Sequence, residues 1–233
     1  NEDYWKVNFD FKNNGLTIAN TSGADPLYSG IVTISPNLSF SSVVLGTYDY
    51  FNVNTRHTFI NISPSTGLWS DEFTLMFLAQ KYKTGAAILF NCLETGDYNA
   101  ENVYKGYSIG YNDCGNIFFQ YYNIDGPQVF TSSFKINSGH SIFCIKSNDN
   151  LTLGYYDFLK QNVISDSFNI NSDYLFEPSE YYLGYNTGNS NLNSIKDLIS
   201  QDTNYRIDEF VYFNRALYSQ DIQLINSGWI ADF

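Results

Sequence analysis

The sequence predicts an all-β protein, a two-sheet antiparallel β-sandwich of jelly-roll type closed by a short C-terminal helix. Three observations carry that expectation. Short apolar runs with period-two alternation recur along the chain, separated by clusters of Asn, Ser, Thr, Asp and Gly, the residues that form turns. Tyr (20) and Phe (19) raise the aromatic share of the 233 residues to 18%, so strand-favouring rings supply much of the core. One Met and few Lys or Ala count against a helical bundle.

Trp5 to Phe11 reads as the first strand, with Trp5, Val7, Phe9 and Phe11 on one face and Lys6, Asn8 and Asp10 on the other. Asn13-Asn14-Gly15 turns, and Ala19 to Asp25 is a polar, Gly-containing loop. Ile31 to Ile34 is a short strand ended by Pro36. Val43 to Val53 holds one or two strands, and His57 to Ile62 another. Phe73 to Ala79 is apolar at almost every position, as a central strand with both faces at least partly buried must be. Ala86 to Asn91 is the next strand.

A meander follows. Tyr107 to Tyr111 and Asn116 to Tyr122 pair across Asn112-Asp113-Cys114-Gly115, and Asp125-Gly126-Pro127 turns again. Gly beside Asp or Asn supplies the positive φ that such corners require. Ser141 to Lys146 and Leu151 to Phe158 form a second hairpin across Ser147 to Asn150. Tyr181 to Tyr185 is a late strand, and an alternating strand from Arg206 closes the set. Ser194 to Ile199 is either a short helix or a loop insertion. Ser219 to Asn226 is helical, with Ser219 as its cap, Asp221 in the first turn and Gly228 at its end.

No composition break or Pro-rich linker divides the chain, so residues 1–233 read as one domain. Asn at position 1 suggests a piece excised from a longer protein. The net charge of −12 argues against nucleic acid, whose phosphates need a basic surface. No run approaches the roughly 20 apolar residues of a membrane-spanning helix, so no membrane insertion is expected. Cys92, Cys114 and Cys144 are odd in number and cannot form a complete disulfide framework. All three are expected to be small buried hydrophobes.

The ending Arg206-Ile207-Asp208-Glu209-Phe210-Val211-Tyr212-Phe213-Asn214-Arg215-Ala216-Leu217 is the most specific stretch. Before it come Phe9-Asp10-Phe11 with Asn20-Thr21-Ser22-Gly23, Phe51 to Asn54 with His57 to Ile62, and Glu72 to Phe77. Tyr107 to Gly110, Asn116 to Phe119, Gly139 to Ile142 and Tyr182 to Gly184 complete the order. Together these pieces resemble the laminin-G-like domains of the concanavalin-A-like lectin and glucanase superfamily. The resemblance implies that first and last strands are neighbours and that the domain binds glycans. Two positions depart from the family pattern. Ser138-Gly139 replaces its Trp before the histidines, and Asn20 replaces the acidic residue of its opening loop.

Glycanases of that superfamily place two carboxylates on one strand face, as in E-x-D-x-E, because alternate residues share a face. Asp208 and Glu209 are adjacent and point oppositely, and Glu177 to Glu180 reads as a loop. His57 and His140 have no catalytic partner set, and serine-hydrolase, zincin and phosphate-loop motifs are absent. The expectation is therefore a protein that is not an enzyme.

The resemblance implies a structural calcium held by Asp208 together with Asn20, Ser22 and Asp25 of the opening loop, since calcium takes six to eight oxygens. Alternatively, Asp208 accepts hydrogen bonds from turn amides or pairs with Arg206 or Arg215. For a glycan, Phe118, Gln120 and Tyr122 share one strand face, Tyr156 lies alongside if the strands pair, and Trp69 reads as exposed in a loop. The alternative for each ring is the core.

The expected function is a lectin-like, carbohydrate-binding recognition module for cell-surface or polysaccharide glycans. Its expected place is extracellular, on a cell surface or on a virion. The alternative is a structural or adhesion domain of a virion, phage or bacterial surface protein that binds protein and not sugar.

Overall fold

A computed structural model describes residues 5–10, 17–19, 29–34, 51–53, 58–63, 69–81, 86–98, 101–136, 140–184 and 205–229. The strands β1 (Trp5–Asp10), β2 (Thr17–Ala19), β3 (Ser29–Ile34), β4 (Phe51–Val53), β5 (Thr58–Ser63) and β6 (Phe73–Lys81) come first. Next are β7 (Ala87–Asn91), β8 (Glu94–Tyr98), β9 (Glu101–Lys105), β10 (Ser108–Tyr111), β11 (Ile117–Asn123) and β12 (Gly126–Thr131). Then β13 (His140–Ser147), β14 (Asn150–Asp157), β15 (Asn162–Asn169), β16 (Tyr181–Gly184) and β17 (Tyr205–Phe213) lead to the helix α1 (Ser219–Trp229).

These strands build two sheets and a ribbon. The first sheet has the order β1-β17-β6-β13-β14-β15, with β4 beside β17. The second has the order β12-β11-β10-β7-β16-β5-β3-β2, and β8 pairs only with β9. Pairing is antiparallel throughout the described residues. The protein is thus the all-β, two-sheet sandwich that its sequence predicts. First and last strands are neighbours, with Phe9 opposite Phe210 and Asp10 opposite Glu209.

Alternation explains the layers. Phe73, Leu75, Phe77 and Ala79 of β6 face the space between the sheets, while Met76 and Leu78 face outward. On β11, Ile117, Phe119 and Tyr121 point inward, and Phe118 and Tyr122 point out. Bulges repair odd spacings. A register shift between Ile207 and Glu209 puts Ile207 on the same inner face as Phe210 and Tyr212. A second shift, at Ile109 and Gly110, lets both Leu89 and Phe90 join the core. Rings run through that core: Phe73 stacks on Tyr107 at 4.8 Å, and Tyr107 stands 5.1 Å from Phe119.

Each sheet also has a covered outer face. Leu217 and Ile222 of the α1 region seal Met76, Leu78, Phe143, Val211 and Phe213. Buried Thr74 anchors this end: its hydroxyl donates to the Arg215 carbonyl and accepts from the Leu217 N–H, both at 2.9 Å. On the opposite side the β8–β9 ribbon covers β11, where Tyr104 stacks on Tyr122 at 4.1 Å.

Several local expectations need correction. Strands β2, β8, β9, β12 and β15 come in addition to those expected, and Ala19, expected in the loop, closes β2. Ser219 is the first helical residue and not the cap. Asp221 reaches back instead, its Oδ2 accepting the Tyr218 N–H at 3.0 Å. Gly228 lies within α1, which runs to Trp229. Cys92 and Cys144 are buried, as expected, but Cys114 is exposed in the β10–β11 turn. Residues 43–50 and 194–199, and the loop residues Asn20, Ser22 and Asp25, lie outside the described residues.

Candidate functional site

One end of the sandwich holds a depression of about 590 Å³, where the β11–β12 edge of one sheet meets the β13–β14 turn and the exit of β15 from the other. Its lining is Tyr121, Asn123, Gln128, Phe130, Asp149, Asn169, Ile170 and Asn171. Period two puts Gln128 and Phe130 on one face of β12, the half-buried one, while Pro127, Val129 and Thr131 are exposed.

Aromatic packing forms the floor. The Tyr121 and Phe130 rings are 8° from parallel with centroids 6.2 Å apart, and Phe130 also packs on Phe168 at 5.5 Å. Tyr121 is 2% exposed and Phe130 is half-buried, so Phe130 supplies the accessible ring surface of the depression.

Turn chemistry fixes the walls. Asn123 Oδ1 accepts from the Asp125 N–H at 2.9 Å and from Gln128 Nε2 at 3.1 Å. Asn148 takes a left-handed φ of 51° in the β13–β14 turn. The Ile170 N–H donates to the Asp149 carbonyl at 2.8 Å, which binds the end of β15 to that turn. A 3₁₀ turn at Ser172–Tyr174 follows, capped by Asn171, whose Oδ1 accepts the Asp173 N–H at 3.1 Å. The Asn171 N–H donates to the Tyr121 hydroxyl at 3.1 Å, a link between the two sheets. As an acceptor in that bond, the hydroxyl still carries a proton it can donate.

Asp149 is the carboxylate on the rim. Hydrogen bonding from Ser172 holds it below the usual carboxylate range, and Lys146 adds a smaller attraction; the Ser172 hydroxyl itself donates to the Asn148 carbonyl at 2.8 Å. The Ser172 N–H reaches Asp149 Oδ1 at 3.2 Å, leaving Oδ2 open. Lys146 itself is buried and donates to the Asp71 carbonyl. The site therefore offers amides, one carboxylate, one phenol and one ring face on a braced frame. That set can bind hydroxyl groups and an apolar patch.

A second, narrower groove of about 240 Å³ runs beside α1. Phe143, Ile145, Val163, Leu217 and Ile222 give it an apolar base, and Ser147, Thr152, Ser165 and Ser219 supply hydroxyls.

Among the described residues, none of the side chains nominated from sequence lines the end depression. Gln120, Phe118 and Tyr122 are 0%, 1% and 7% exposed, beneath the β8–β9 ribbon, and present no open platform. Tyr156 does not lie alongside them: it is on β14, in the other sheet, buried and edge-on to Phe158 at 5.3 Å. Trp69 is not a free loop ring but is partly buried against the core, 6.2 Å from Tyr107. Asp208 sits in the bulge of β17. Among the described residues no three His, Cys, Asp or Glu side chains are grouped to hold a metal. The one legible signal for the depression was the Gln128, Phe130 alternation after a turn-forming Asp-Gly-Pro.

No protein-family model matches the chain, and no curated protein matches it. Similar folds occur among solved structures. The binding domain of botulinum neurotoxin DC in complex with SialylT aligns with a TM-score of 0.65 at 14% identity, covering 97% of this chain and 52% of that one. The same binding domain in complex with rat synaptotagmin II gives 0.65 at 14% identity, with 97% and 52% covered. A botulinum neurotoxin type C structure, concerned with cell entry through interaction with two ganglioside molecules, gives 0.63 at 16% identity, with 97% and 51% covered. At these identities the likeness shows the fold alone, and the chain spans about half the length of the structures it matches.

Proposed function

We propose that this protein is a non-catalytic carbohydrate-binding module acting outside the cell or on a cell or virion surface, with the end depression as its glycan site. The observation that carries the reading is the union of a half-buried Phe130 ring, the amides of Asn123, Gln128, Asn169 and Asn171, and the open Asp149 Oδ2 in one preformed hollow. Sugars present apolar ring faces edged by hydroxyls, and such a surface answers both. The similar structures support a recognition role, since they are binding domains described with SialylT, gangliosides or a synaptotagmin. They do not transfer a ligand, because half of each has no counterpart here.

The test is a broad glycan panel read with the wild-type chain and with Phe130→Ala and Asn169→Ala. Saturable binding that falls about tenfold in either variant is expected, with the melting temperature unchanged for Asn169→Ala and a folded, cooperatively melting protein for Phe130→Ala. A silent panel, or binding that ignores both variants, overturns the reading. A protein-binding adhesion domain is the second reading, favoured by the apolar groove beside α1 and the exposed Tyr218 and Leu224. It expects a silent glycan panel and a protein partner lost on Leu224→Asp.

A structural calcium braced by Asp208 and the loop holding Asn20, Ser22 and Asp25 stays part of the proposal. The pairing of β1 with β17, with Asp10 opposite Glu209, supports it by setting the first strand beside the bulge that holds Asp208. Exhaustive chelation is then expected to lower the melting temperature. An unchanged melt removes the calcium.

A further inference from the structure

The depression has a charge character that narrows its ligand. Among its described lining residues none is Lys, Arg or His. A carboxylated or sulfated sugar is held by a guanidinium, an ammonium or a nest of free backbone N–H groups. Five backbone donors around the hollow are already engaged. The N–H of Ile170 goes to the Asp149 carbonyl, that of Asn171 to Tyr121, that of Ser172 to Asp149 Oδ1, and that of Asp173 to Asn171 Oδ1. The Asp125 N–H is likewise held by Asn123. An anion entering here meets side-chain amides and the Asp149 carboxylate.

A diol meets a better match. Each sugar hydroxyl both donates and accepts. Asp149 Oδ2 and Gln128 Oε1 accept, and the amide nitrogens of Asn123 and Asn171 donate. Asn169 offers both kinds of atom, neither engaged among the described residues. The nearby cation does not change the balance at the surface. Lys146 is buried, its Nζ donates to the Asp71 carbonyl, and its charge faces the carboxylates of Asp71, Asp149 and Glu72. The net charge of −12 adds repulsion toward anions at longer range.

We propose that the depression selects neutral saccharides through a vicinal diol accepted by Asp149, and discriminates against sialylated or sulfated glycans. This rests on the reading of the hollow as a glycan site. It sets the protein apart from the similar structure solved in complex with SialylT.

The experiment compares neutral oligosaccharides with their terminally sialylated and sulfated counterparts, on the full chain, at low and high salt. The neutral members are expected to bind, and the acidic counterparts about tenfold more weakly at low salt. The gap narrows at high salt, because surface charges are screened within about 10 Å at 0.1 M ionic strength. Asp149→Asn weakens the neutral ligands and shrinks the gap, and its retained β-sheet circular dichroism and single cooperative unfolding transition show that the fold is intact. Acidic counterparts that bind as tightly or more tightly overturn the selectivity while leaving a glycan module in place. A broad panel on which neutral and acidic members are both silent overturns the glycan site and the selectivity with it.

Discussion

Gly106 and Gly126 both take positive φ, at +71° and +112°, but their surroundings differ. A Cβ on Gly106 would meet the Cys92 carbonyl oxygen at 2.1 Å, backbone against backbone, whereas one on Gly126 meets nothing within 4 Å. Gly106→Ala is therefore expected to cost about 2–4 kcal/mol, combining strain with overpacking. Gly126→Ala is expected to cost about 1 kcal/mol, from backbone strain alone. Denaturant unfolding of the two variants checks the ranking. At Asp149 the sign of the pH dependence follows from its depressed pKa. The carboxylate stabilises the fold above its unfolded value, near 3.9, and that contribution is lost as pH falls through the lower folded value. Melting curves of Asp149→Asn across the acid range should be flatter there than those of the wild type. Saccharide binding by the wild type should persist into the same range, because the accepting group stays ionised.

At the scale of elements, α1 acts as a lid on the first sheet. Ile222 is fully buried against it, and Ile222→Ala should cost about 2–4 kcal/mol by unfolding. The strands with continuous apolar runs, β6, β7, β11 and β13, were legible because burial on both faces leaves little polar sequence. The edge strands were harder. β15 reads Asn-Val-Ile-Ser-Asp-Ser-Phe-Asn, with most of its residues half or fully exposed, so few apolar side chains mark its period. The β8–β9 ribbon is rich in Glu, Asp and Asn and carries almost no apolar pattern. That ribbon is also why Phe118, Gln120 and Tyr122 were misplaced. A shared strand face was readable, but which face a distant ribbon covers is a non-local fact. The depression was hidden for the same reason: its parts come from β11, β12, the β13–β14 turn and the end of β15, joined only by folding.

For the whole molecule, the sandwich fixes the two edges of its sheets as a frame, and the proposed glycan site lies at the end where their turns meet. The Asn171 to Tyr121 bond joins the two sheets at that end, and the Ile170 to Asp149 bond ties the exit of β15 to the β13–β14 turn, so the hollow is preformed. Preorganisation of this kind means that binding should proceed without a large change in the β-sheet signal. The most direct measurement is amide-resolved NMR during titration with a saccharide found on the panel. The account predicts shifts concentrated at the side-chain amides of Asn123, Gln128, Asn169 and Asn171 and at the ring of Phe130. Shifts confined to the α1 groove or the β8–β9 ribbon would contradict it.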